Sequence, residues 1–235
     1  YKQQQLNQLM KNPGTGTRGK IGIPMVLNMY ELLPFWHAFF TNLGFQVIVS
    51  PFSNRKLYQA GQGSIPSDTV CFPAKLTHGH IMALLKKDVD AIFYPCMSYN
   101  IDEGLGDNHY NCPVVAYYPE VLAGNIRELE DTKFIYEYLN LEQRKDFVRL
   151  MPKIMQKYYP DLKKSDIHNA IEVAYTAYRK HMEDTRKEAE RMMTEARNEG
   201  KRIIVLAGRP YHVDPEVNHG IDKLIVQHGA CVITE

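Results

Sequence analysis

Four cysteines are the residues of this 235-residue chain best equipped for chemistry: Cys71, Cys96, Cys112 and Cys231. They are 25, 16 and 119 residues apart, with no Cys-x-x-Cys pair, so the spacing matches no compact metal motif. Position says more than spacing. Cys71 stands just ahead of a helix with Pro73 in its first turn, where free N–H groups and the helix dipole favour a thiolate. Cys96 follows the strand-like run 90–94 and Pro95, at the carboxyl end where open parallel sheets collect ligands. Cys112 precedes Pro113 and is therefore held extended. Three thiolates converging at one sheet edge would suit a soft metal, or an iron–sulfur cluster with one position left to a non-cysteine ligand. Ordinary reduced thiols are the plain alternative, as is a single catalytic cysteine with His78 or His80 as base. Both histidines would serve equally well as surface and helix-flank residues. Cys231, between Ala230 and Val232, reads as core.

A second candidate is the loop Gly208-Arg209-Pro210-Tyr211-His212. Arg209 and His212 could hold an anion at the start of the following helix. The structural reading is a strand-to-helix turn with Asp214 as cap and Pro215 at the first helical position. Asp102, Glu103 and Asp107 lie among glycines and read as a solvated loop. The glycine-rich stretch near the N-terminus lacks the Lys-Ser/Thr ending of a phosphate loop.

These residues need elements to position them. Residues 1–19 read as a linker or frayed helix. An apolar strand follows at Ile21, Ile23, Met25 and Val26, then a helical stripe from Met29 through Trp36 to Leu43, closed by Gly44. Residues 45–49 form a second strand. A helix over 73–87 leads to a third strand at 90–94, and 114–118 reads as a fourth. Such βαβ units build an open parallel, Rossmann-like sheet, assigned to residues 20–125. Residues 126–200 read as a helical region, with short helices over 129–139 and 141–158 and a long one from a Ser165 cap to Gly200. Residues 201–235 read as the βαβ start of a second α/β lobe: a buried strand at 202–208, a helix near 217–228 and a strand entered at Cys231 and broken at Glu235. The first residue is Tyr and the last lies in an apolar run, so the chain is expected to be a piece of a longer protein.

Composition sets the outer bounds. At 44% hydrophobic residues the chain can bury a real core, and a formal net charge of +1 gives no pull toward nucleic acid or an anionic membrane. No apolar run is long enough to span a bilayer, and nothing at the N-terminus resembles a signal peptide. A cytoplasmic location with reduced thiols is expected.

The strings Cys71-Phe72-Pro73-Ala74-Lys75-Leu76-Thr77-His78-Gly79-His80, Phe93-Tyr94-Pro95-Cys96 and Asn111-Cys112-Pro113-Val114-Val115 carry a resemblance, joined by Gly208-Arg209-Pro210-Tyr211-His212 and Asn218-His219-Gly220-Ile221. From about Lys20 onward the chain resembles a domain of large activator proteins of the 2-hydroxyglutaryl-CoA dehydratase system, the CoA-substrate-specific enzyme activases. The resemblance implies an ATPase module of the acetate-kinase/actin type ahead of this domain in the parent chain. It also implies similarity to the dehydratase subunits, which bind an oxygen-sensitive 4Fe–4S cluster through three cysteines. Cys71, Cys96 and Cys112 match the ligand positions. The dehydratase subunits draw one ligand from farther along the chain, which leaves Cys231 as an alternative to Cys112. The string Asp102-Glu103-Gly104 falls in the loop read as solvated and no Asp-x-Gly-type phosphate loop is recognised, so this chain is not expected to hydrolyse ATP.

The expected function is therefore that of a 4Fe–4S electron-transfer domain in an ATP-driven reductive activation. Its expected partners are the ATPase module of the same parent chain or a related activator, an acyl-CoA or dehydratase-like partner, and a second copy of the chain. Two readings compete with it: a non-redox module docking an ATPase to its target, and a dehydratase-like subunit acting on an acyl-CoA.

Overall fold

The computed structural model describes residues 1–104 and 106–234. The chain runs α1 (Lys2–Lys11), β1 (Lys20–Ile23), α2 (Met29–Asn42), β2 (Gln46–Val49), α3 (Arg55–Gly61) and α4 (Phe72–Leu85). It continues through β3 (Ala91–Phe93), β4 (Cys96–Tyr99), α5 (Pro113–Asn125), β5 (Phe134–Ile135), β6 (Tyr138–Asn140), α6 (Arg144–Tyr158) and α7 (Lys164–Asn198). The last segment holds β7 (Ile203–Leu206), α8 (Pro215–Asn218), α9 (Ile221–Gln227) and β8 (Cys231–Thr234). Glu235, expected as the end of the last strand, lies outside the described residues.

The fold is α/β. Four parallel strands form the main sheet in the order β2-β1-β3-β5, and the pairs β4–β6 and β7–β8 are also parallel. β1 is central, pairing Ile21 with Val47 on one side and with Ala91 on the other. Parallel strands covered on both faces need continuous apolar runs, and Ile21, Ile23, Ile92 and Phe93 are fully buried. α2 lies in the middle of the core. Its Trp36 ring sits 4.6 Å from Phe93 and 4.8 Å from Phe35, and Gly44, at φ +85°, turns the chain out of this helix into β2.

Several expectations change. Residues 114–118 are not a strand but part of α5. Pro113 sits in the first turn, where its missing N–H is harmless, and Val115, Tyr118 and Leu122 are buried at helical spacing. The fourth strand is instead β5, only two residues long. The helix expected over 129–139 is replaced by a 3-10 turn at Arg127–Leu129, followed by β5 and β6. The stretch expected as a linker or frayed helix holds α1, with Leu6 buried.

α7 has 35 residues and spans about 50 Å. Its cap position is Lys163, and Ser165 falls inside the first turn. Its buried residues run from Ile167 to Tyr178, against α2, and resume only at Ala196. Between them the surface carries ion pairs such as Lys187–Glu183 at 2.6 Å. The far end supports β7 and β8. The strand expected to be buried there is partly open, with Ile204 40% and Val205 64% exposed. The single helix expected near 217–228 is split into α8 and α9 by His219 and Gly220, both left-handed at φ +55° and +76°.

Candidate functional site

Cys71 and Cys112 are both N-cap residues, of α4 and α5. The Cys71 carbonyl accepts from Ala74 N at 3.0 Å and Lys75 N at 3.2 Å, and that of Cys112 from Ala116 N at 3.0 Å. Neither thiol makes a cap hydrogen bond, and each cysteine stands at the positive end of a helix. Cys71 is exposed and Cys112 half-buried. The sequence expected Cys112 to lead into a strand; the local backbone is extended as expected, but it leads into a helix.

Cys96 differs. It opens β4, its N–H donates to Glu137 O at 3.1 Å, and its side chain is fully buried. Burial, and next the charge of Glu120, push its thiol up to about 12. Among the described residues, no group of three or more His, Cys, Asp or Glu side chains is gathered closely enough to hold a metal ion. Cys231 is half-buried at the start of β8, its sulfur 4.0 Å from Met192 O, on the far lobe.

Three tyrosines are raised in part by the cysteines. Tyr211 is pushed up by burial and then by charge at Cys112, with a smaller effect from Cys71. Tyr118 is raised to about 12 by burial and then by Cys71. Tyr94, between Pro95 and the end of β3, is raised by burial and next by Cys96, Tyr118 and Cys112. The Tyr94 hydroxyl is buried and finds no hydrogen-bond partner among the described residues. An orphaned buried hydroxyl is costly in a folded protein.

His78 and His80 are fully buried, against the expectation of surface or flanking positions. Serines distant in sequence make this tolerable. Ser64 Oγ donates to Gly61 O at 3.0 Å and pairs with His78 Nδ1 at 2.8 Å, so Nδ1 carries the hydrogen. His78 Nε2 then accepts from the Tyr118 hydroxyl at 3.0 Å. His80 pairs with Ser50 Oγ at 2.7 Å and Ser53 Oγ at 2.9 Å. Burial lowers both rings to about 4, so they are neutral supports near pH 7.

The loop with Arg209 and His212 turns in on itself: Arg209 N donates to His212 Nδ1 at 2.9 Å. Asp214 caps α8 as expected, accepting from Glu216 N at 2.8 Å and Val217 N at 3.1 Å. Its second oxygen does something the sequence did not suggest. It accepts from the Tyr30 hydroxyl of α2 and from Ser53 N at 3.4 Å, with the residue only 1% exposed. Arg209 also lines a cavity of about 500 Å³ together with Glu31, Asn100, Glu103, His181 and Thr185, and none of the cysteines borders it.

Fold and site together define an α/β domain with a four-stranded parallel sheet and two cysteines at helix N-termini. The chain belongs to the family described as the CoA enzyme activase uncharacterised domain (DUF2229), whose model matches residues 20–235. That membership gives it an activator-like role among CoA enzyme activase proteins. No curated protein and no solved structure matches the chain. Among the described residues, no helix is long and apolar enough to cross a membrane.

Proposed function

We propose that this chain is the cysteine-bearing domain of an activator that takes part in ATP-driven reductive activation, with Cys71 and Cys112 as its primary thiolate donors and Cys96 as the third. The observation that carries the reading is the pair of cysteines at two helix N-termini, neither thiol making a cap hydrogen bond. A 4Fe–4S cluster bound here would supply a low-potential electron. The donor chemistry of Cys71 and Cys112 fits such a group, and so does the orphaned Tyr94 hydroxyl, which can donate to a thiolate sulfur. Cys96 fits less well, since its neutral, buried thiol must lose a proton and shift before it could join them. The residues' own tasks are then distinct: the helix N-termini offset negative charge, while Tyr118, His78 and Ser64 fix the wall behind Cys71.

ATP hydrolysis belongs in this reading to an ATPase module, in the same parent chain or a related activator. An acyl-CoA or dehydratase-like protein and a second copy of the chain are further proposed partners, and a cytoplasmic setting keeps the thiols reduced. Anaerobic incubation with iron and sulfide tests the reading: bound iron supports it, and iron-free protein refutes it. A second reading, a non-redox docking module, is favoured by the lack of a gathered three-donor group among the described residues. Iron-free protein that still binds the ATPase would establish that second reading.

A further inference from the structure

The cavity of about 500 Å³ beside Arg209 has no task in the thiol chemistry, since no cysteine borders it. We propose that it is a binding site for a small zwitterion of the amino-acid class, its ammonium group held by Glu31 and Glu103 and its carboxylate by Arg209. The site stands apart from the cysteines, so it goes beyond the activation role proposed above and does not depend on it.

The fold places this cavity where parallel sheets collect ligands. Its walls include Asn100 and Glu103, which follow the carboxyl end of β4, and Arg209, which follows that of β7. The two strands belong to different parallel pairs, β4–β6 and β7–β8. Two sheets therefore send their carboxyl-end loops to one space. Its volume is that of a small-molecule pocket.

Hydrogen-bond acceptors gather on one wall. The Tyr178 hydroxyl donates to Glu103 Oε1 at 2.7 Å and lies 3.3 Å from Glu31 Oε1. Asn100 Nδ2 donates to Glu31 Oε2 at 2.8 Å. A single phenol proton cannot serve two carboxylates, so the pair has room for a further donor. Burial is the main cause of a raised Glu31 carboxyl, and the charge of Glu103 acts in the same direction. An ammonium group answers both needs, with three donors and a positive charge. Among the described residues no group of three or more His, Cys, Asp or Glu side chains could hold a metal ion, so the donor that fits is an organic cation.

The opposite charge is also present. Arg209 lines the cavity from the loop after β7 and Lys2 from α1, while His181 is lowered by burial and stays neutral near pH 7. A phosphate or other plain anion would meet the two carboxylates, and a plain amine would meet Arg209 and Lys2. A zwitterion matches both signs at once. Leu6 and Met182 add apolar wall for a side chain.

The test uses the full chain, reduced and metal-free, so its failure is separate from any failure to bind iron. Isothermal titration calorimetry measures binding of each standard amino acid, and then of the tightest binder's decarboxylated amine and deaminated acid. Wild type is expected to bind at least one amino acid. The amine and the acid are each expected to bind about tenfold more weakly or worse, the size of one charge-assisted hydrogen bond lost, and so is the amino acid to Glu103→Gln and Arg209→Gln. Glu103 and Arg209 are exposed, so these variants leave the core intact. Wild type that binds no amino acid overturns the site, and so does an amine or acid bound as tightly as the parent amino acid. Unchanged binding in Arg209→Gln overturns it as well. The analogue series keeps the test decisive where a variant fails to fold.

Discussion

Cys71 and Cys112 hold the same position in two different helices with nearly the same backbone: φ −61°, ψ 150° for one and φ −61°, ψ 154° for the other. Each is followed within two residues by proline, at the second position of α4 and the first of α5, and neither thiol makes a cap hydrogen bond. Serine is a better N-cap than cysteine, since its hydroxyl accepts from the first-turn amides. Cys71→Ser and Cys112→Ser are therefore expected to keep or raise stability, by up to about 1 kcal/mol in urea denaturation, while removing the thiols.

α4 is held in place by backbone contact with α3. A Cβ on Gly79 would fall 2.1 Å from Leu57 O, and one on Gly61 would fall 2.2 Å from Gly79 N. Gly79→Ala is expected to cost about 3 kcal/mol or more, because backbone cannot step aside as a side chain can. Gly63→Ala, with nothing within 4 Å, is the control and shifts stability by less than about 1 kcal/mol.

Acid sensitivity follows from the buried histidines. His78 and His80 have pKa values of about 4 in the fold, against 6.5 in an exposed ring, with burial as the main cause. Between those values the unfolded chain takes up protons that the folded chain refuses. Stability is thus full above about pH 6.5, falls as the pH drops, and levels off from this source below about pH 4. His37 and His181 are lowered too, while partly buried His109, raised by its hydrogen bond to Glu142, works in the opposite sense. A urea series from about pH 7.5 to about pH 4.5 checks the direction; stability that rises on acidification contradicts it.

Tyr94→Phe separates structure from chemistry. The hydroxyl has no partner among the described residues, so its loss is expected to leave stability unchanged or about 1 kcal/mol higher. In protein reconstituted with iron and sulfide, the same variant is expected to alter the visible spectrum without abolishing iron binding.

How far the sequence could be read depended on how local each cause was. The strands of β1, β2 and β3 are short apolar runs, and α2 and α7 show their stripes plainly. The run 114–118 misled because its two valines and two tyrosines favour strand, while the decisive signal was the single residue Pro113. β5 has two residues, too few to carry a period. The three thiol positions could be placed at loops and helix starts, but the burial of Cys96 comes from β4 pairing with β6, some forty residues on. His78 and His80 are tolerable inside only because Ser64, Ser50 and Ser53 fold against them. Asp214 was legible as a cap, yet its bond to Tyr30 spans 184 residues and leaves no local trace.

The central claim is that Cys71 and Cys112 are working thiolate donors. The most direct measurement is iron and acid-labile sulfide bound per chain after anaerobic reconstitution, in wild type and in Cys71→Ser, Cys112→Ser and Cys231→Ser. The expected result is loading with thiolate–iron absorption in wild type and Cys231→Ser, and its loss in each of the other two. Iron-free wild type, or loading that survives both Cys71→Ser and Cys112→Ser, would contradict the account.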